Sequence, residues 1–99
     1  MQAKDLEYLI ELGLKGNHLL FEDELVREVL RSDEKDLVTM GEKNIEEVST
    51  CFYKVLSAPN IFEARQAIFN MPYNIQKVLA FIYFKLIDLS PEESRLTIH

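Results

Sequence analysis

75-IQKVLAFIYFKLIDL-89 is the stretch on which the fold turns. Eleven of its fifteen residues are apolar, and Gln76, Lys77, Lys85 and Asp88 fill one narrow arc. At 100° per residue, Ile75, Val78, Leu79, Ile82, Tyr83, Leu86 and Leu89 make one broad apolar face. Phe81 falls on the opposite arc between Lys77 and Lys85, with Phe84 at its edge. A helix this apolar must be buried on several sides. A membrane span needs about 20 apolar residues, and this run is shorter and carries two lysines. Burial therefore comes from protein.

Upstream, the chain repeats the helical period. In residues 4–14, Leu6, Leu9, Ile10 and Leu14 share a face, with Glu7 and Glu11 outside, and Gly16-Asn17 is a stop. A second helix is expected over residues 20–31, with the stripe Phe21, Leu25, Val26, Val29 and Leu30. Its first turn is acidic and Arg27 and Arg31 lie near its end, matching the helix dipole. Ser32 reads as the cap of a third helix running to Leu56, with Gly41 marking a kink or break between Met40 and Glu42. Ala58-Pro59-Asn60 makes a turn, with Asn60 capping a short helix over residues 61–70. Pro72 or Asn74 opens the apolar helix. Ser90-Pro91-Glu92-Glu93 then joins an N-cap, a proline at the first helical position and a glutamate at the third, so it starts a last short helix. No alternating apolar and polar run supports a strand. The expectation is an all-α bundle of five or six helices forming one domain over residues 1–99.

The chain has 99 residues, 47% of them hydrophobic and 28% charged, which suits a globular domain and not a disordered one. The net charge of −6 is uneven: residues 1–47 hold thirteen acids against six bases, and residues 48–99 four against five. An acidic front half argues against phosphate-neutralising nucleic-acid binding. It suits a basic protein partner, met by Glu22, Asp23, Glu24, Asp33, Glu34, Asp36, Glu46 and Glu47. The single cysteine, Cys51, excludes an intramolecular disulfide. Its neighbours Ile45, Val48, Phe52 and Val55 recur at helical spacing, so Cys51 and Phe52 should be buried. No secretory signal opens the chain, so a soluble protein of the cytoplasm is expected.

Eight of the ten aromatics lie between Phe52 and Phe84. One small chain has little with which to cover both sides of the apolar helix. The expectation is a homodimer that self-associates through Phe81 and Phe84, with Lys77 and Lys85 beside them.

The sequence holds no phosphate loop, no His-Glu-x-x-His pattern, no calcium-loop spacing and no nucleophile elbow. His18 and Glu22 lie four apart with Asp23 nearby, a weak metal pair without a third or fourth ligand. A small metal-binding protein or enzyme built on it is the third reading, after an interaction module and a transcription-linked regulator. His99 is terminal. Neither a catalytic group, a metal nor a cofactor is expected, so the chain reads as a non-enzymatic interaction module.

Residues 63–68 (EARQAI), Met71-Pro72, the run from Val78 to Tyr83-Phe84 and Leu89-Ser90-Pro91-Glu92-Glu93 together resemble the first half of the σ-factor region 4 helix-turn-helix domain. The likeness covers about a third of the chain. It implies a role around transcription by protein contact. No recognition helix follows Glu93 within the 99 residues, and no basic surface is available for phosphates. The overall run of the sequence, including Asn70-Met71-Pro72-Tyr73-Asn74, also resembles small orphan proteins of archaeal filamentous viruses, the lipothrixviruses and rudiviruses. That resemblance implies a hot host cytoplasm and a thermostable protein, and assigns no residue a role.

Overall fold

The computed structural model describes residues 3–88, which form six helices and no strand. In chain order these are α1 (Ala3–Leu14), α2 (Asp23–Arg31), α3 (Glu34–Lys43), α4 (Ile45–Ser57), α5 (Ile61–Phe69) and α6 (Tyr73–Asp88). None is long and apolar enough to cross a membrane. The helix expected from Ser90-Pro91-Glu92-Glu93, with Leu89 and His99, lies outside the described residues.

α6 is the centre. It packs against α1, α2, α3 and α4, while α5 rests on α4. Ile75, Val78, Leu79, Ala80, Tyr83 and Ile87 are buried, and Phe81, Ile82 and Phe84 are half-buried against the same core. Ile75 and Ala80 are wholly inaccessible to solvent. The buried arc thus turns toward Ala80 and Ile87 and away from Leu86, which is exposed although its spacing placed it on the apolar face. Four helices of one chain cover this helix, so its apolarity by itself creates no need for a second chain.

Local chemistry sets the boundaries. Gly16 has φ +88°, and Asn17 N–H donates to Leu12 O at 2.9 Å while Gly16 N–H donates to Gly13 O at 3.0 Å. That paired arrangement closes α1 at a residue with no Cβ to clash. α2 starts three residues later than its pattern implied. Leu20 and Phe21 are buried from the α1–α2 loop, and Leu30, placed on the stripe by spacing, is 67% exposed. Leu14 likewise points mostly to solvent.

Ser32 does not cap α3. Its hydroxyl donates to Glu28 O at 2.7 Å, closing α2, and Asp33 caps α3 by accepting from Lys35 N–H at 2.9 Å. The long third helix is broken, but at Asn44 and not at Gly41. The Asn44 side chain donates to Met40 O at 2.8 Å, and its backbone leaves the helical region. Gly41 serves packing instead: a Cβ there would sit 3.3 Å from Val78 Cγ1, so its absence lets α3 approach α6. Asn60 caps α5 as expected, accepting from Glu63 N–H at 2.8 Å. Cys51 is buried and free, whereas Phe52 is only half-buried and Ile45 is 59% exposed.

Candidate functional site

α4 spends its Val48, Cys51 and Val55 on the core, on one side of the helix. Its remaining apolar residues, Ile45, Phe52, Tyr53 and Leu56, lie with Ser49 along the adjoining face; Phe52 and Leu56 are half-buried at the edge of the core, and Ile45 and Tyr53 are exposed. They line a groove of about 350 Å³ floored by Ile82 of α6. Ile45 and Tyr53 are 59% and 72% exposed, and Leu86, one turn beyond Ile82, is 46% exposed. Single exposed apolar residues are ordinary, but a contiguous apolar groove marks a contact surface.

Phe52 and Leu56 also wall a smaller cavity of about 70 Å³ behind the groove. Leu6, Leu9 and Ile10 of α1 close it from one side, and Leu79, Tyr83 and Leu86 of α6 from below. Its lining is almost wholly apolar and offers a water few partners.

The sequence-derived self-association set serves this chain's own contacts. Lys77 Nζ lies 3.6 Å from Glu28, whose other oxygen accepts from Tyr73. That hydrogen bond, with smaller help from Lys77, holds Glu28 below the usual carboxylate range and pushes Tyr73 up to about 12. Lys85 pairs with Glu34 and sits 5.5 Å above the Phe81 ring; the hydrogen bond to Glu34 raises its pKa. Phe84 meets His18 edge to face, with ring centroids 5.0 Å apart.

The eight acids expected to meet a partner are all exposed. They stand at three helix starts: Glu22, Asp23 and Glu24 at α2, Asp33, Glu34 and Asp36 at α3, Glu46 and Glu47 at α4. Nine- and ten-residue helices separate these starts by roughly 13–15 Å. Their local effect is to complement three helix dipoles.

His18 lines one cleft with Glu22 and Asp23, but its hydrogen bond goes to Tyr83. Its Nδ1 lies 2.8 Å from the Tyr83 hydroxyl and its ring packs on both Tyr83 and Phe84. Burial pushes the Tyr83 hydroxyl up to about 12, so it stays protonated beside Nδ1, and the His18 tautomer sets which of the two groups donates. Among the described residues no group of three or more His, Cys, Asp or Glu is placed to hold a metal ion. Beside His18 lies an open polar cleft of about 360 Å³, whose other charged walls are Glu22, Asp23 and Arg65. The Arg65 guanidinium is engaged with the carbonyl of Leu19.

Burial draws the His18 pKa below 6.5, and the nearby Asp23 carboxylate pushes part of the way back. The native state then binds fewer protons than the unfolded chain around pH 6. Its contribution to stability is complete above pH 6.5 and is lost as pH falls through the lower native pKa. The urea midpoint of the wild type should fall more steeply from pH 7 to pH 5 than that of His18→Gln, which has no titrating ring. Parallel pH profiles would refute this.

Neither a known protein family, nor a curated protein, nor a solved structure matches this chain. The groove is not legible in the stripe around Cys51, because Ile45, Val48, Phe52 and Val55 read there as one buried face and Tyr53 falls outside it. Their spread over more than half the helix circumference was the available signal.

Proposed function

We propose that this chain is a small soluble protein-interaction module whose working surface is the groove between α4 and α6. One observation carries the reading: Ile45, Phe52, Tyr53, Leu56 and Ile82 form a contiguous apolar channel that the described helices leave open. Its walls stand on the helices α4 and α6, and sites carried on helices hold their geometry better than sites on loops. Phe81 and Phe84, where self-association is expected from the sequence, are half-buried against their own chain and lie outside this groove.

The short α5–turn–α6 unit, joined through Asn70-Met71-Pro72, supports a second reading. In it the chain is a transcription-linked regulator acting by protein contact. Direct binding to purified RNA polymerase would carry that reading, and absence of binding at physiological salt would remove it.

Tyr53→Glu tests the main reading because Tyr53 is 72% exposed and its replacement should leave the fold intact. A tagged wild-type chain should retain a stoichiometric protein from extract of its native cell. The variant, with unchanged helicity and melting temperature, should lose it at least tenfold. Equal retention by both chains, or retention by neither, overturns the reading.

A further inference from the structure

We propose that the groove takes an amphipathic α-helix with basic flanks, one large apolar side chain of which passes between Phe52 and Leu56 into the cavity behind. The inference rests on the docking reading above and names the chemistry of the partner.

The channel favours a helical occupant. Its wall follows Ile45, Ser49, Phe52 and Leu56, spaced by four, three and four residues, so it presents the ridge of one helix along three turns. A second helix laid beside such a ridge places its own residues at spacings of three and four into the channel. Ile82, with Leu86 one turn beyond, makes an apolar floor between α4 and the α1 wall of the cavity.

The depth of the site comes from the cavity. It is larger than the 10–15 Å³ or so that one water needs, yet its apolar lining gives water few partners. Phe52 and Leu56 are half-buried and line both spaces, so a side chain passing between them reaches from one to the other. An inserted aliphatic or aromatic side chain would restore the contacts that the void forfeits. Anchors of this kind dominate binding energy at interfaces.

The rim sets the sign of the charge. Glu46 stands seven residues before Tyr53 and shares its face on the outer wall of α4. On α1, Glu7 and Glu11 each follow a cavity-lining residue, Leu6 and Ile10, and form an acidic ridge beside them. These three carboxylates are exposed and make no ion pair among the described residues. Lys85, the base next to this floor along α6, is already paired with Glu34. A partner helix carrying Lys or Arg beside its apolar stripe gains attraction on both rims. A second copy of this chain brings its own −6 charge and sets Glu46 against like charge, which costs affinity. Residues 89–99 carry Glu92 and Glu93 against Arg95 and are an equally poor electrostatic match.

The test uses the full chain and three fluorescent 14-residue helical peptides. One has a Leu stripe with Lys flanks, one the same stripe with Glu flanks, and one the Lys flanks with every Leu replaced by Ala. The Leu/Lys peptide should bind one to one, at least tenfold tighter than either control. Tyr53→Glu should weaken it at least tenfold, as should the pair Glu46→Lys and Glu11→Lys. Ile10→Phe, which fills the cavity, should weaken it severalfold while raising or preserving the melting temperature. Equal binding of the Lys-flanked and Glu-flanked peptides overturns the proposal, as does binding that ignores Tyr53→Glu. Dimerisation of the chain that Tyr53→Glu abolishes would also overturn it, assigning the groove to a second copy. If no peptide binds while the captured cellular protein still depends on Tyr53, this inference falls and the docking reading stands. If capture ignores Tyr53, the docking reading itself falls.

Discussion

Ile75→Ala should lower the unfolding free energy by about 2–5 kcal/mol, the range for truncating a fully enclosed aliphatic side chain. Ile75 is the largest side chain in the core with no solvent exposure, and it opens the buried arc of α6, against which four helices pack. A domain of this size has roughly 5–15 kcal/mol in total, so the change takes a large share. The melting temperature should fall on the order of 15 °C, given the usual unfolding entropy per residue. Ile75→Val removes one methylene and should cost only about 1 kcal/mol. Urea unfolding of the three chains checks both numbers. A loss under about 1 kcal/mol for Ile75→Ala would mean that the first turn of α6 is not close-packed.

Phe21→Ala should cost about 3–5 kcal/mol, although Phe21 lies in a loop. Its ring is 4% exposed and stands 5.2 Å from the Tyr83 ring, beneath the segment that carries His18. The loop is held down by this contact, by Leu20 and by the His18–Tyr83 hydrogen bond. Loosening it should rehydrate His18 and return its pKa toward 6.5. Phe21→Ala should therefore also flatten the pH 7 to pH 5 slope of stability. Phe62→Ala is the matched control: that ring is 68% exposed on α5, and its loss should change stability by roughly 0.5 kcal/mol or less. A small effect at Phe21, or an unchanged slope, would show that the loop is anchored elsewhere.

The two substitutions separate what spacing can report from what it cannot. Ile75 was legible in the sequence, because a helix apolar on most of its circumference must be central wherever its first turn falls. Phe21 was legible as apolar, but its periodic fit with Leu25 drew it into α2. The helix instead starts at Asp23, with Glu22 as the N-cap residue, and the ring is buried from the loop. Apolar periodicity fixes which residues seek burial. It does not distinguish a first helical turn from a loop folded over the same core.

The groove follows the same division. Around Cys51 the sequence offers more apolar residues than one face can hold, and only packing against α3, α5 and α6 decides which of them are used. Val48, Cys51 and Val55 go inward, and Ile45 and Tyr53 are left to solvent. The acidic residues show the converse. Their positions at helix starts were readable from sequence, but whether they form one patch depends on how α2, α3 and α4 turn relative to one another.

By itself, then, the sequence determined an all-helical fold, the central place of α6, the glycine closure of α1, the Asn60 cap and the burial of Cys51. Each follows from a local rule: apolar period, backbone freedom at glycine, or a side-chain oxygen reaching a free N–H. Only the tertiary structure decided that α6 is covered by its own chain, that Phe81 and Phe84 are half-buried, that His18 bonds to Tyr83, and that α4 keeps an open apolar channel. Those outcomes depend on which faces meet between helices far apart in the chain, His18 and Tyr83 being 65 residues apart. Burial is a competition among all apolar surfaces for one limited core, and no local pattern records who wins it.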